Sequence, residues 1–572
     1  MTEPSPHDEP APSERLVTGA AMALDGLRRA VLDLAAELAG PASRGEQPTA
    51  DGRGGITLER PRRAEFGDYS TNAALLLAPG LGAPPREVAE RLGGVLQARL
   101  GASLQRFEVA GPGFLNLFVA DSWLIGALAQ ALAAGQSFGV GAALEPERVL
   151  VEFVSANPTG PLHVGHARNA VYGDALARLL AFRGHDVERE FYVNDAGSQV
   201  RKLGESIQAL ARGEQPPEGG YMGEYLVDLV ARLASAASMS SAELGRAAVA
   251  VMMEDIRSSL VAFGVEGFDR WFFESALHEG DPSPVAHTLA ILQEKGHTYS
   301  NGGALWLCTT AFGDDKDRVL VRSNGEHTYF ASDIAYHQDK RERGFDRQID
   351  VWGADHHGYV SRMKAAYEAL GGDPSELELL IMQLVHLVRS GERAQMSKRA
   401  GEFVTLDDLV AEIGVDAARW YLLARSHDTT VDLDLDLARD QSKDNPVYYV
   451  QYAHARIASM LDKAGDERVR AATEAAIDAQ REPLHETERA LIELLLGFPG
   501  EVAEGVERRA PHRIAAYALE LAQGFTAFYT DCRVLGAEPP AVESLRIALC
   551  VMSGRTIARC LGLLGVSAPE QM

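Results

Sequence analysis

The feature that most constrains the fold is the stretch "RVLVEFVSANPTGPLHVGHARNAVYGDALARLLAFRGHDVEREFYVND", which begins at Arg148. It opens with a short run rich in β-branched residues, the pattern of a buried strand. A turn built from Asn157, Pro158, Gly160 and Pro161 follows. Apolar Ala167, Ala170, Val171, Ala175, Leu176 and Leu179 then recur with helical period. The run "DVEREFYVND" reads as the next strand. Strand, helix, strand is the repeating unit of a parallel α/β sheet. His163 and His166 stand at the junction of turn and helix.

The remaining chain is organised around this unit. At 572 residues it exceeds what one hydrophobic core supports. Residues 16–145 read as an N-terminal α+β domain, with a helix from about Leu16 to Leu38 and a strand in "GITLERP". "EFGDYSTNAALLLA" is a turn entering a second helix, and "PPREVAERLGGVLQARL" is a helix with its prolines at the start. "RFEVAGPGFLNLFV" gives two strands around a Gly-Pro-Gly turn. Residues 146–425 form the parallel-sheet domain, with a mainly helical insertion at about 201–300. The strand-like runs "ALWLCTT", "RVLVRS" and "QIDVWGAD" are expected to resume the sheet after it. Residues 426–572 carry helical period almost throughout and read as an all-α bundle.

Composition excludes several classes. A formal charge of −26 argues against indiscriminate binding to nucleic acid or membranes, though not against local basic patches. Four cysteines at 308, 532, 550 and 560 have neither zinc-ligand spacing nor disulfide density, which fits a reducing cytoplasm. No apolar run is expected to reach membrane-span length. Residues 1–15, acidic and Pro-rich, read as a disordered tail rather than a signal.

A helix N-terminus after a parallel strand offers unpaired N–H groups and partial positive charge, suited to phosphate. Two histidines there add donors for charge developing on a phosphate. The usual phosphate-binding loops, G-x-x-x-x-G-K-[ST] and G-x-G-x-x-G, do not follow this strand. Two other readings of the histidines stand beside this one: a metal half-site at i, i+3 spacing, or plain helix capping. Far downstream lies "RAQMSKRAGEFVTLDDL", with Ser397, Lys398, Arg399 and Gly401.

Together, "HVGH" (163–166) and "QMSK" (395–398) resemble the HIGH and KMSK signatures of class I aminoacyl-tRNA synthetases. Gln395 stands where that family usually has its first lysine, so only Lys398 is carried over. "EFVSANPTGPLHVGHARNA", "YFASDIAYH", "WGADHHGYVSRMKAA", "MSKRAG", "VQYAHARI" and "LGLLGVSAPEQM" resemble the bacterial-type arginyl-tRNA synthetases. "FGDYSTNAAL" and "AGPGFLNLFV" extend that resemblance to the first domain. It covers the chain from about residue 16 to Met572.

The resemblance implies a Rossmann-type catalytic domain that joins arginine to its tRNA through an arginyl-adenylate, using ATP with Mg²⁺ and no structural zinc. His163, His166 and Lys398 are the implied catalytic donors. Pro161, Gly165, Met396 and Ser397 join them around ATP. Arginine's planar five-donor guanidinium calls for carboxylates, and the implied set is Glu152, Ser155, Asn157, Tyr329, Asp333 and His356. Tyr329 lies four residues before Asp333, on the same face if that segment is helical. The N-terminal domain would reach the tRNA D-loop and the helical domain the anticodon. Candidate contacts are Arg62, Phe66, Asn116, Tyr448, Tyr452, Arg508, Arg509, Arg513 and Tyr529, with Arg53, Arg60 and Arg63 supporting. A cytoplasmic monomer with no membrane partner is expected.

Rival readings fit less of the sequence. A cysteinyl enzyme would carry zinc ligands, and a glutamyl or glutaminyl one would not need paired carboxylates. An inactive tRNA-binding paralogue on the same scaffold has no need of intact "HVGH" and "MSK". A small-molecule nucleotidyltransferase has no use for the long helical domain.

Overall fold

The computed structural model describes residues 23–40, 55–61, 63–141, 143, 145–233, 236–393, 404–474 and 483–572. The acidic tail, Arg53, Arg62, and the segment holding Gln395, Met396, Ser397, Lys398, Arg399 and Gly401 lie outside the described residues. Contacts divide the chain into two compact units: Met1–Gly141 with Thr473–Leu496, and Ala142–Ala472 with Gly497–Met572. The parallel sheet and the helices after Gly497 thus share one unit.

The first unit contains α1 (Ala23–Ala39), β1 (Leu58–Glu59), β2 (Tyr69–Thr71), α2 (Ala73–Leu81), α3 (Pro85–Leu100), β3 (Leu104–Ala110), β4 (Phe114–Val119) and α4 (Asp121–Ala134). The four strands form an antiparallel sheet in the order β1-β2-β4-β3. Pro84 caps α3 and Pro85 opens it, where a missing N–H costs no helical hydrogen bond. Leu92, Leu96, Leu115, Leu117, Leu124 and Leu128 are fully buried. Within the same unit Arg489 donates to Asp68 at 2.6 Å and to Asp121.

The second unit is built on β5 (Arg148–Glu152), α5 (Val164–Arg183), β6 (Asp186–Val193), α6 (Gly197–Ala211), α7 (Glu224–Arg232), α8 (Ser241–Ala262) and β7 (Arg270–Phe273). It continues through α9 (Pro284–Glu294), β8 (Thr298–Asn301), β9 (Ala304–Leu307), β10 (Arg318–Val321), α10 (Tyr329–Glu342), β11 (Arg347–Gly353), α11 (Val360–Ala369) and β12 (Leu377–Met382). The five-stranded sheet has the order β12-β11-β5-β6-β7 and is parallel throughout. This is a doubly wound arrangement in which β5 is central, and its ligand site is expected at the carboxyl end of β5.

Two features depart from the sequence reading. "ALWL" and "RVLV" do not resume the parallel sheet: they are β9 and β10, in a separate antiparallel sheet with β8. Strand β7, "RWFF", does join it, inside the span expected as an insertion; the helical excursion therefore ends at Ala262. Short strands reveal their existence in local pattern but not their partners.

The chain then forms β13 (Val385–Arg389), β14 (Glu392–Arg393), α12 (Leu406–Ile413), α13 (Val415–Leu423), β15 (Val431–Asp434) and α14 (Leu435–Arg439). Helices α15 (Pro446–Ala464), α16 (Asp466–Glu474), α17 (Glu486–Glu507), α18 (His512–Asp531) and α19 (Pro540–Leu564) complete it. Contrary to expectation, α19 is long and apolar enough to span a membrane, but 78% of its most apolar window is buried within the protein. It is a core helix. The fully buried Arg419 of α13 ties the second unit together, donating to Asp174 of α5, to the Leu564 carbonyl (3.0 Å) and to the Phe263 carbonyl (3.1 Å). Its guanidinium lies against Gly565, where an added Cβ would sit 2.1 Å from a nitrogen. Only glycine fits there.

Candidate active site

The chain leaves β5 in an unusual conformation. Val154 and Ser155 both adopt positive φ, at 67° and 41°, which is costly for a β-branched residue. Asn169 of α5 holds the kink: its Oδ1 accepts from Val154 N (2.6 Å) and its Nδ2 donates to the Val351 carbonyl on β11 (2.7 Å). One buried amide thus fixes the carboxyl ends of two adjacent strands beside the helix that begins at the histidines.

His163 is the N-cap of α5. Its Nδ1 accepts from Gly165 N at 3.0 Å, and His166 Nδ1 accepts from His163 N at 3.3 Å. The rings stack with centroids 3.7 Å apart. The capping reading is therefore realised, and it has a chemical consequence. With each Nδ1 used as an acceptor, the proton of the neutral ring sits on Nε2. Burial lowers the pKa of His163, and burial with its neighbour takes His166 to about 3. At neutral pH both rings are uncharged donors, not cations. Gly165 is needed because a Cβ there would lie 2.9 Å from His163 Cε1. Pro161 is exposed at the mouth of the turn, and Tyr225 of α7 donates to the Thr159 carbonyl at 2.9 Å behind it.

The segment after the downstream motif returns to this point. Val164 N donates to the Val404 carbonyl (3.3 Å) and Leu406 N to the Leu162 carbonyl (2.8 Å), with His163 bridged to Thr405. Lys398, Met396 and Ser397 lie outside the described residues.

A second cluster lies at the carboxyl ends of β5, β6 and β7 and along α10. Tyr192 feels the charges of Glu274, Asp333 and Glu152. Asp333 accepts from Tyr359 Oη at 2.5 Å. Burial raises its pKa, countered by that bond. Glu274, only 5% exposed, is raised to about 7 by burial and by the Asp333 charge. Among the described residues neither Asp333 nor Glu274 is ion-paired with lysine or arginine; the imidazole of His278, its pKa lowered by burial, lies 4.0 Å from Glu274. Sequence reading missed Glu274, which no motif marks. Its place after apolar "WFF" was the one available signal.

Glu152 is in a different state. Lys340 Nζ donates to Oε2 (2.5 Å) and Ser155 Oγ to Oε1 (2.7 Å). Burial pushes its pKa up and Lys340 opposes it. Ser155 Oγ also accepts from Tyr192 N (3.2 Å), so it ties the end of β5 to β6. Asn157 is exposed. Tyr329 is 56% exposed on the first turn of α10, so it shares a helix with Asp333 as expected, with its hydroxyl 3.3 Å from Ser198 Oγ. His356 lies at the surface against Trp352, with centroids 5.6 Å apart, and its charge acts on Asp333.

Sequence and structure comparisons agree with this geometry. The profile described as "tRNA synthetases class I (R), catalytic domain" matches residues 127–215 and 261–457. "Arginyl tRNA synthetase N terminal domain" matches 28–119 and "DALR anticodon binding domain" 450–572. The arginine–tRNA ligase of Geobacillus kaustophilus is 44% identical over 552 residues, covering 94% of this chain and 97% of that protein. The chain belongs to the arginyl-tRNA synthetase family. The Bacillus subtilis ligase is 43% identical, covering 90% of this chain and 94% of its own length. The Thermus thermophilus arginyl-tRNA synthetase structure superposes with TM-score 0.75 at 25% identity, over 96% of this chain and all of that one.

For a synthetase of this family the RNA-facing candidates need sorting by exposure. On α15, Tyr448 and Tyr452 stack with centroids 6.2 Å apart, and the Arg456 guanidinium lies 4.8 Å over Tyr452 and 5.7 Å from Tyr529. A cavity of about 380 Å³ opens beside them, lined by Lys443, Tyr448, Tyr449, Tyr452, Arg456 and Thr526. The expected basic cluster is corrected. Arg509 is an internal clamp, bidentate to Glu378 of β12 at 2.8 Å, with its carbonyl accepting from Tyr172 Oη at 2.5 Å. Arg513 pairs with Glu501 (3.0 Å), and only Arg508, paired with Glu504 (2.5 Å), is well exposed. In the first unit Arg60 pairs with Glu493 (3.2 Å) and Arg63 with Glu65 (3.4 Å). Asn116 is 3% exposed, its Oδ1 accepting from Ser70 at 2.8 Å, so it does not stand open to RNA as expected. Phe66 (42% exposed) does, as does Phe114 (41%), which sequence reading passed over.

Proposed function

We infer that this chain is an arginine–tRNA ligase, which activates arginine with ATP and passes it to the 3′ end of its tRNA. The observation that carries the reading is the acidic cluster of buried Glu152 and Glu274 with half-buried Asp333 at the carboxyl end of β5, beside a helix N-terminus capped by two neutral histidines. Carboxylates held up by burial, with lysine or arginine on only one of them, call for a cationic ligand. The fork of a guanidinium suits them, and arginine supplies it.

In the first step the substrate carboxylate attacks the α-phosphorus of ATP and pyrophosphate leaves. Charge building on the phosphate is met by Nε2–H of His163 and His166 at the α5 N-terminus, with Lys398 as the third donor. In the second, a ribose hydroxyl of the tRNA attacks the activated carbonyl and AMP leaves. No enzyme-bound covalent intermediate is needed; positioning and electrostatic stabilisation suffice. Among the described residues no three His, Cys, Asp or Glu are grouped to hold a metal, so Mg²⁺ belongs to this reading as an ion carried on the nucleotide phosphates. Stacked Tyr448 and Tyr452 with Arg456 suit an unpaired base. A cytoplasmic monomer is part of the same reading, drawn from the role of such ligases in translation.

The test is aminoacylation of purified tRNA with each of the twenty amino acids. Charging confined to arginine supports the reading; charging by another amino acid, or none, overturns it.

A further inference from the structure

The sheet presents an unusual row of charges to α10. Asp350 of β11, Glu152 of β5 and Glu190 of β6 are in register across neighbouring parallel strands, so their side chains share one face. All three are buried. Helix α10 lays Tyr336, His337 and Lys340 over them, with Arg343 at its C-cap. Arg343 and Tyr336 serve Glu190. Lys340, fully buried, donates to Glu152 Oε2 (2.5 Å) and Asp350 Oδ1 (2.7 Å).

His337 completes the row. It is 2% exposed, with Nε2 2.9 Å from Asp350 Oδ2 and Nδ1 2.7 Å from the backbone carbonyl of Asp333. A carbonyl can only accept, so Nδ1 carries a proton. If the ring were neutral, the Nε2 lone pair would then face a carboxylate oxygen. A proton must lie on that line. Asp350 is not its owner: the Lys340 ammonium donates to its other oxygen at 2.7 Å, and a cation in direct contact holds the carboxyl in its charged form. With the proton on Nε2, Glu152 and Asp350 are balanced by Lys340 and His337. An unbalanced buried charge would be expensive.

We propose that His337 is held as the imidazolium and that, with Lys340, it positions two of the three carboxylates that read the substrate's side chain, Glu152 and Asp333. Lys340 grips Glu152 directly, and His337 grips Asp333 through its backbone. Asp350 joins the two cations. The groups facing this pair are Asp350 and Trp352 from β11, Glu152 from β5, Glu190 from β6, and Asp333 and Tyr336 from α10 itself. The proposal rests on the arginine reading above for what the two carboxylates recognise, but the protonation state does not.

Nitrogen-15 spectra of the full-length protein labelled at its 16 histidines read that state directly. His337 is assigned by its loss in His337→Gln or, should that chain not fold, by its displacement in Trp352→Phe. Two protonated ring nitrogens at pH 7 are expected, and a neutral ring overturns the proposal. Kinetics supply the second arm. His337→Gln should raise KM for arginine roughly tenfold or more, the scale of one lost hydrogen bond to a charged group, with KM for ATP little changed. The double variant His337→Gln, Asp350→Asn restores charge balance, since Glu152 and Lys340 remain paired, and should recover most of that loss. A double variant as impaired as the single overturns the positioning role. Wild-type enzyme that fails to charge arginine would instead sink the substrate reading, leaving the histidine spectrum to stand or fall alone.

Discussion

Arginine binding should expel a proton near neutral pH, and Glu274 is the reason. Its carboxyl is lifted to about 7 first by burial and then by the Asp333 charge. A guanidinium arriving between Glu274 and Asp333 neutralises the Asp333 charge and sets an opposite charge against the burial, drawing the group back toward its usual value of about 4.3. The sign follows directly. Below about pH 7 the free pocket holds a proton that must leave before the cation is fully matched, so affinity rises with pH. For a free-state pKa of about 7, the protonated fraction is about 0.9 at pH 6, about 0.5 at pH 7 and about 0.1 at pH 8. Affinity should therefore improve about tenfold between pH 6 and pH 8, which is about 1.4 kcal/mol. Because Glu274 and Asp333 interact, the proton belongs to the pair rather than to one residue.

Isothermal titration of arginine in two buffers of different ionisation enthalpy measures the proton count. About half a proton released at pH 7 is expected, falling by pH 8. Glu274→Gln should abolish the release and flatten the profile, while weakening binding at pH 8. Zero release with flat affinity in the wild type would refute the reasoning. So would an unchanged profile in Glu274→Gln, since the proton would then come from elsewhere.

Two further outcomes are expected. Gly165→Ala should slow adenylate formation by about 10² in single-turnover measurements, because the added Cβ displaces His163 and with it one preorganised donor. Arg509→Ala should lower stability by about 2 kcal/mol in denaturant unfolding, since it removes the bidentate pair on Glu378 and leaves that carboxylate to Arg347 alone, whereas Arg508→Ala should change it by less than about 1 kcal/mol.

Sequence reading succeeded where the signal was local. The Pro- and Gly-rich turn, the β-branched strand before it and the helical period after it gave β5, α5 and β6 nearly to the residue. It failed where partners are distant. Arg509 looked like part of a basic surface patch because its acid, Glu378, lies 131 residues away along the chain. Strands β9 and β10 were recognised as strands, yet the sheet they joined was set by hairpin pairing with β8 and not by their own pattern. Asn116 reads as a polar strand residue in either case. Its burial against Ser70 depends on which neighbour β4 acquires. Glu274 was invisible for the complementary reason: a lone carboxylate has meaning only once folding places Asp333 and Tyr192 beside it.

The histidines show why structural and catalytic readings need not compete. A serine or asparagine would cap α5 as well as His163 does. What an imidazole adds is a second nitrogen on the far side of the ring, and the cap decides which one bears the proton. Because Gly165 N and His163 N both point at Nδ1 atoms, helix formation itself selects the Nε2–H tautomer on both rings. Burial keeps them neutral, so they do not repel each other across a 3.7 Å stack. A neutral donor also binds a phosphate without holding it as a permanent counter-ion would, and its hydrogen bond strengthens as charge accumulates in the transition state. The same few hydrogen bonds that start the helix thus fix the protonation pattern that the proposed phosphate chemistry would use.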